Sequence, residues 1–239
     1  MTETSNMDQL DGECPDRPAP AMSAALREAI ANAKPVKMRR PMRDLGVFLG
    51  LSIPMLVVAA ALMGVRRDIS EISPLWVGSI GLVWLASFTA SSYLGFVPAK
   101  GHVRPRSQSI YKLVAAASFL IISVGLFATQ SATSTSITYP ATFSNVVAHA
   151  PGCSMMGVTA GILPGLIALL LMRRYVPVGR LSVGLSLGAA GGSLSGLILH
   201  LHCPISERFH VGFVHGGCLV LSALFVAGAS QVLLRERDS

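Results

Sequence analysis

The sequence predicts an all-α membrane protein: a bundle of six transmembrane helices behind a short N-terminal tail. Three observations predict it. The 239 residues are 51% hydrophobic and only 13% charged, and their mean hydropathy of +0.58 exceeds what a soluble core requires. Six stretches are long and apolar enough to cross a hydrocarbon layer of about 30 Å, which takes about 20 residues. The basic residues are also strongly biased toward one side of those stretches.

Residues 1–44 form a polar tail predicted to lie in the cytoplasm. Its first 20 residues, with Asp8, Asp11, Glu13 and Asp16 among prolines, read as disordered. The segment 21–33 differs. Ser23 is placed to cap a helix in which Leu26 and Ile30 recur at helical spacing beside Arg27 and Glu28. About three turns is too short to be stable alone in water, so the segment reads as a membrane-surface helix, a linker, or a docking helix that orders on a partner. No cleavable signal peptide is expected, because the first apolar run begins only at Leu45.

The predicted transmembrane domain, 45–235, holds spans at about 45–65, 75–97, 112–129, 152–172, 181–201 and 211–234. The first two carry no charge. After the third, the chain stays uncharged but turns rich in Ser and Thr through Ser144, which reads as a loop with a short interfacial turn near Tyr139 and Pro140. Pro54 and Pro164 are expected to kink the first and fourth spans. Of the 19 Lys and Arg, only Arg66, Arg67 and Arg208 fall on the side opposite the tail. That bias puts both termini in the cytoplasm of a bacterial cell, with the protein in the inner membrane. It also accounts for the net charge of +7 without direct nucleic-acid binding.

Glycines supply the packing signal. Gly157, Gly161 and Gly165 in the fourth span, and Gly184, Gly188, Gly192 and Gly196 in the fifth, recur every four residues. Such rows let helix backbones approach where lipid offers no hydrophobic drive, so these two spans are expected to pack as a tight antiparallel hairpin.

That hairpin would bring the start of the fourth span, with Cys153, to the end of the fifth, where Cys203 follows. His149, His200, His202, His210 and His215 lie at the same membrane face, with Cys218 a little deeper in the sixth span. His200 and Cys203, three apart, are spaced to share a helical face. Two chemistries fit. The thiols can form a disulfide in an oxidising compartment if their Cα atoms come within about 4.4–6.8 Å, structural or signal-responsive. Alternatively, thiolate and imidazole can hold zinc, copper or another soft metal, with His200, His202, His210, His215 and Cys218 as further candidates. His149 reads as a bystander, and Cys14, in the tail, as a free thiol. Nothing catalytic competes: there is no phosphate loop, no HExxH, no GxSxG, and no charge near the middle of a span. The chain is not expected to be an enzyme, and a transporter fits poorly.

The stretch from Gly152-Cys153 through Leu163-Pro164-Gly165, the Arg173–Arg180 loop, the glycine-rich fifth span and Leu199-His200-Leu201-His202-Cys203-Pro204 resembles the NrsF family of negative sigma-factor regulators. His202-Cys203-Pro204, followed by Phe209-His210 and His215-Gly216, carries the most specific part of the likeness. The family's aromatic beside His215 is missing here, with Val214 in its place and Phe213 one earlier. The resemblance implies a six-helix inner-membrane anti-sigma factor. Its N-terminal tail, through residues such as Leu26, Arg27 and Ile30, would hold an extracytoplasmic-function sigma factor. Cys153 and Cys203 would be the signal-responsive pair. Taken without the resemblance, the residues also fit a Cys/His metal-binding or redox-active membrane protein with no sigma partner.

Overall fold

The computed structural model describes residues 23–32, 40–67, 69–70, 72–97, 106–127, 143–173, 179–205 and 209–234. These fall into two units, one within Met1–Met38 and one within Arg39–Ser239. In the first unit a helix, α1, runs over Ala24–Asn32 directly after Ser23, with Arg27 and Glu28 exposed. The sequence expectations for residues 1–22, and so for Cys14, lie outside the described residues.

The second unit is helical wherever regular structure is described: α2 (Pro41–Met63), α3 (Pro74–Phe96), α4 (Arg106–Phe127), α5 (Phe143–Met172), α6 (Arg180–His202), a π-helical turn (His210–His215) and α7 (Gly216–Leu233). Proline at the first position starts both α2 and α3, where its missing N–H costs nothing and its fixed φ suits a helix. Five helices among the described residues are long and apolar enough to cross a membrane: α2, α3, Ala150–Met172 within α5, α6, and the continuous His210–Leu233. The third predicted span lies in α4. Arg106, Gln108 and Lys112 make its first turns polar, and its apolar part is Gln108–Val124. The helix α5 starts at Phe143, well before the predicted Gly152, and carries Pro151 and Pro164 inside it. The predicted turn near Tyr139 lies outside the described residues.

The centre of the bundle is α6. From Ser182 to His200 nearly every residue is buried, because its side chains are small enough for neighbours to close on its backbone. A Cβ added at Gly188 or Gly192 would sit 2.7 Å from Ala223 Cα or 2.5 Å from Leu219 Cα, both on α7, and one at Gly184 would sit 2.7 Å from Ala227 Cα. The α6 row therefore faces mainly α7. The two helices' glycines meet where Gly161 approaches Gly191 and Gly192 and Gly165 approaches Gly191, while Gly157, Gly161 and Gly165 also receive Cys218, Ser222 and Val226 of α7. Gly196 takes the ring of Trp84 from α3. Three helices thus close on α6, where the sequence pattern suggests a simple pair. The reason is helical geometry. Gly191 lies one residue off the row, so α6 offers glycine to two directions at once.

Serines stitch the same helix to its neighbours. Ser186 donates to the Ser91 carbonyl (2.6 Å) and Ser193 shares a hydrogen bond with Ser87 (2.8 Å), both on α3. Ser195 donates to the Gly157 carbonyl of α5, and Ser230 of α7 to the Arg180 carbonyl (3.0 Å). At the end where the chain enters α2, Leu45 and Phe48 pack with Phe88, Phe96, Met172, Val183 and Leu234. The opposite end, where α5 begins and α6 stops, carries the cysteines.

Candidate functional site

At the cysteine end, α6 stops at His202, and Cys203 follows with extended backbone (φ −73°, ψ 121°). This departs from the expected shared face of His200 and Cys203. Once the chain leaves the helix, the i, i+3 relation no longer holds. Cys203 turns instead toward Cys153, in the α5 turn after Pro151, with 3.7 Å between the sulfurs. Both are thiols in the structure. His210 Nε2 lies 3.5 Å from Cys203 Sγ. The ligand atoms of Cys153, Cys203 and His210 all lie within 4.8 Å of one another.

The π-helical turn explains how a second histidine reaches the same place. In an α-helix, residues five apart point about 140° away from each other. The i→i+5 bonding of a π turn brings them onto one side. The His210 and His215 rings accordingly stand edge to face, with centroids 5.2 Å apart. His215 is 1% exposed. The half-buried Cys153, the buried Cys203 and His210 thus form one group, with the buried His215 set against His210.

The remaining candidates point elsewhere. His200 Nε2 donates to the Val77 carbonyl (3.1 Å), and its ring packs on Trp76 at 4.9 Å, tying α6 to α3. His202 Nδ1 donates to the Gly64 carbonyl (3.0 Å). Cys218 Sγ donates to the Val214 carbonyl (3.1 Å), within its own helix. All three side chains are engaged by backbone carbonyls, of which Gly64's follows the end of α2, where carbonyls lack intrahelical partners. The His149 side chain lies outside the described residues.

The geometry suits a tetrahedral metal. With Zn–S near 2.3 Å and Zn–N near 2.0–2.1 Å, tetrahedral angles put two ligating sulfurs about 3.8 Å apart, and sulfur and nitrogen about 3.6 Å apart. The 3.7 Å and 3.5 Å separations lie close to these values, and with all three ligand atoms within 4.8 Å of one another a metal would draw them inward onto one centre. The Cys153 sulfur beside it, together with burial, pushes the Cys203 thiol up from its ordinary range. It therefore stays protonated in neutral solution, and a metal binding there has to displace the proton.

One neighbour escapes the sequence reading. Arg66 is 5% exposed and donates through its side chain to the Pro204 carbonyl (3.0 Å). The available signal was its position: an arginine on the wrong side of a strong charge bias, two residues after a helix-ending glycine, needs a reason to be there.

No curated protein and no solved structure matches the chain. The family described as negative regulator of sigma F matches residues 30–235, a range that takes in every helix of the bundle and all four members of the thiol and histidine group. A match over that much of the sequence, with the cysteine end inside it, makes the chain a member of the NrsF family of negative regulators of sigma F.

Proposed function

We propose that the chain is a membrane-bound anti-sigma factor of the bacterial inner membrane. It holds an extracytoplasmic-function sigma factor through its cytoplasmic tail and releases it when a soft metal or an oxidant reaches the cysteine end. The observation that carries this reading is the convergence of Cys153, Cys203 and His210 at one end of the bundle, in a chain whose family regulates a sigma factor negatively. The charge bias supports the orientation, with the tail inside and the thiols outside. In an oxidising exterior compartment, a close pair of thiols is a chemical reporter.

The tail supplies the holding element. Positions 26 and 30 fall on one face of α1, flanked by the exposed Arg27. A helix this short gains its stability from whatever it docks on. In the bundle, metal is favoured as the signal because two of the ligand separations lie near those of a tetrahedral site. Zinc would take Cys153, Cys203, His210 and the adjacent His215 as a tetrahedral set; copper(I) needs fewer ligands. The protein's own part is to bring two sulfurs and two imidazoles to one end of the bundle, close enough for a metal to draw them together.

The test is capture. Full-length protein co-expressed with a candidate sigma factor should carry it into the membrane fraction, Leu26→Asp and Ile30→Asp should lose it, and Cys153→Ser should retain it after metal is added. A membrane fraction that never holds the sigma factor sinks the proposal. If the same protein still binds metal, it is a metal-binding membrane protein without that partner.

A further inference from the structure

The cysteine end is closed by three hydrogen bonds between the segment that leaves α2 and the segment that leaves α6. Arg66 N donates to the Leu201 carbonyl (2.9 Å). Arg66 Nη2 donates to the Pro204 carbonyl (3.0 Å), and His202 Nδ1 to the Gly64 carbonyl (3.0 Å). Gly64 sits at φ 77°, a conformation that costs other residues energy, and it caps α2 by donating to the Ala60 carbonyl (2.9 Å). The two acceptors used by Arg66 bracket Cys203 in sequence. A shift of the Cys203 backbone therefore moves both carbonyls that hold the end of α2.

What makes this contact consequential is how thinly α2 is held otherwise, by Leu49, Leu56, Ala59 and Met63 half-buried against the core. Only 17% of its apolar window is buried, against 83% for α6. At the far end Phe48 packs on Phe88 and Phe96, with ring centroids 5.9 Å and 5.4 Å away. Between these two attachments lies Pro54, which removes one backbone bond and weakens the helix locally. In sequence, α2 is also the helix that follows the tail.

We propose that Gly64, Arg66 and His202 form the contact that transmits the state of the thiol and histidine group to α2, with Arg66 as its positioning residue. A metal drawing the Cys153, Cys203 and His210 ligand atoms onto one centre would move the Leu201–Pro204 stretch, and Arg66, bonded on both sides of Cys203, carries that movement into α2. This rests on the sigma-holding reading above, and it adds a direction for the signal.

The experiment uses full-length protein with its sigma factor bound, in membranes, titrated with Zn(II), with Cu(I) and with a thiol oxidant. Bound metal, or lost thiols, and released sigma factor are measured on the same samples. Arg66→Gln should load metal or oxidise as the wild type does and hold the sigma factor, yet release it about tenfold less at equal loading, the scale of an ordinary coupling energy. Arg66→Lys, which keeps the charge and one donor group, should recover much of the release. Should Arg66→Gln fail to accumulate, His202→Gln, at a half-buried position, removes one of the three bonds and should show a smaller uncoupling. Release by these variants equal to wild type at equal loading overturns the proposal. Failure of the underlying reading looks different: wild-type protein holds no sigma factor, or Cys153→Ser and Cys203→Ser release it normally.

Discussion

The helices α2 and α6 are each 23 residues long and both apolar enough to span a membrane, yet they are built oppositely. The more hydropathic, α2 at 2.4, is 17% buried, and the less hydropathic, α6 at 1.4, is 83% buried. In water the oilier helix would be the core. In a bilayer lipid takes the oil, so Ile53, Val57 and Leu62 of α2 face outward, while glycine and serine gather at the centre, where close backbone approach and interhelical hydrogen bonds supply the cohesion. The difference teaches where sequence changes will be felt: at small residues of α6, and hardly at all on the outer face of α2.

The largest effect should come from Gly192→Leu. Its Cβ would meet the α7 backbone at 2.5 Å, and a helix backbone cannot give way as a side chain can. We expect a loss above the roughly 1–3 kcal/mol typical of overpacking, seen as little folded protein recovered from membranes. Recovery at wild-type levels would mean that α6 is not the packed centre.

Next in size is the end of α6. Cys203→Ser should reduce metal affinity by more than the roughly 10–100-fold typical of removing an outer partner, whereas His200→Gln should leave affinity near wild type, because His200 is bound to Val77 and Trp76. Competition titration against a chromophoric chelator measures both. Equal losses would show that the helix end does not sort its ligands as described.

Smaller still, Ser195→Ala removes the bond to the Gly157 carbonyl and should cost about 0.6 kcal/mol, the mean for such bonds in a membrane protein, read from unfolding in mixed micelles. The smallest change is expected from Val57→Leu on the exposed face of α2, within about 0.5 kcal/mol of wild type. If it matched Gly192→Leu in severity, the outer face of α2 would have a packing partner and the contrast between the two helices would collapse.

Much of this was legible beforehand. Uncharged runs such as 45–65 and 75–97 announced spans, because a charge in hydrocarbon is expensive. Fourth-residue glycines announced close packing, and Cys153 and Cys203 announced themselves as a pair through the alternating direction of successive spans. The partners of those features were not legible. Whether Gly188 meets α5 or α7 depends on rotations of a few tens of degrees about helix axes, which small residues alone do not specify.

The sequence by itself determined that the chain is built of apolar helices, five of them among the described residues long enough to cross a membrane, and which end collects sulfur and imidazole, since these follow from the cost of moving each residue type out of water. Only the tertiary structure decided which imidazoles turn to the thiols. That choice rests on the extended backbone at Cys203, which parts it from His200, and on the π turn that sets His215 beside His210. Both are local departures from regular helix, and such departures are settled by how neighbouring segments pack and satisfy their backbone groups, which no residue spacing records.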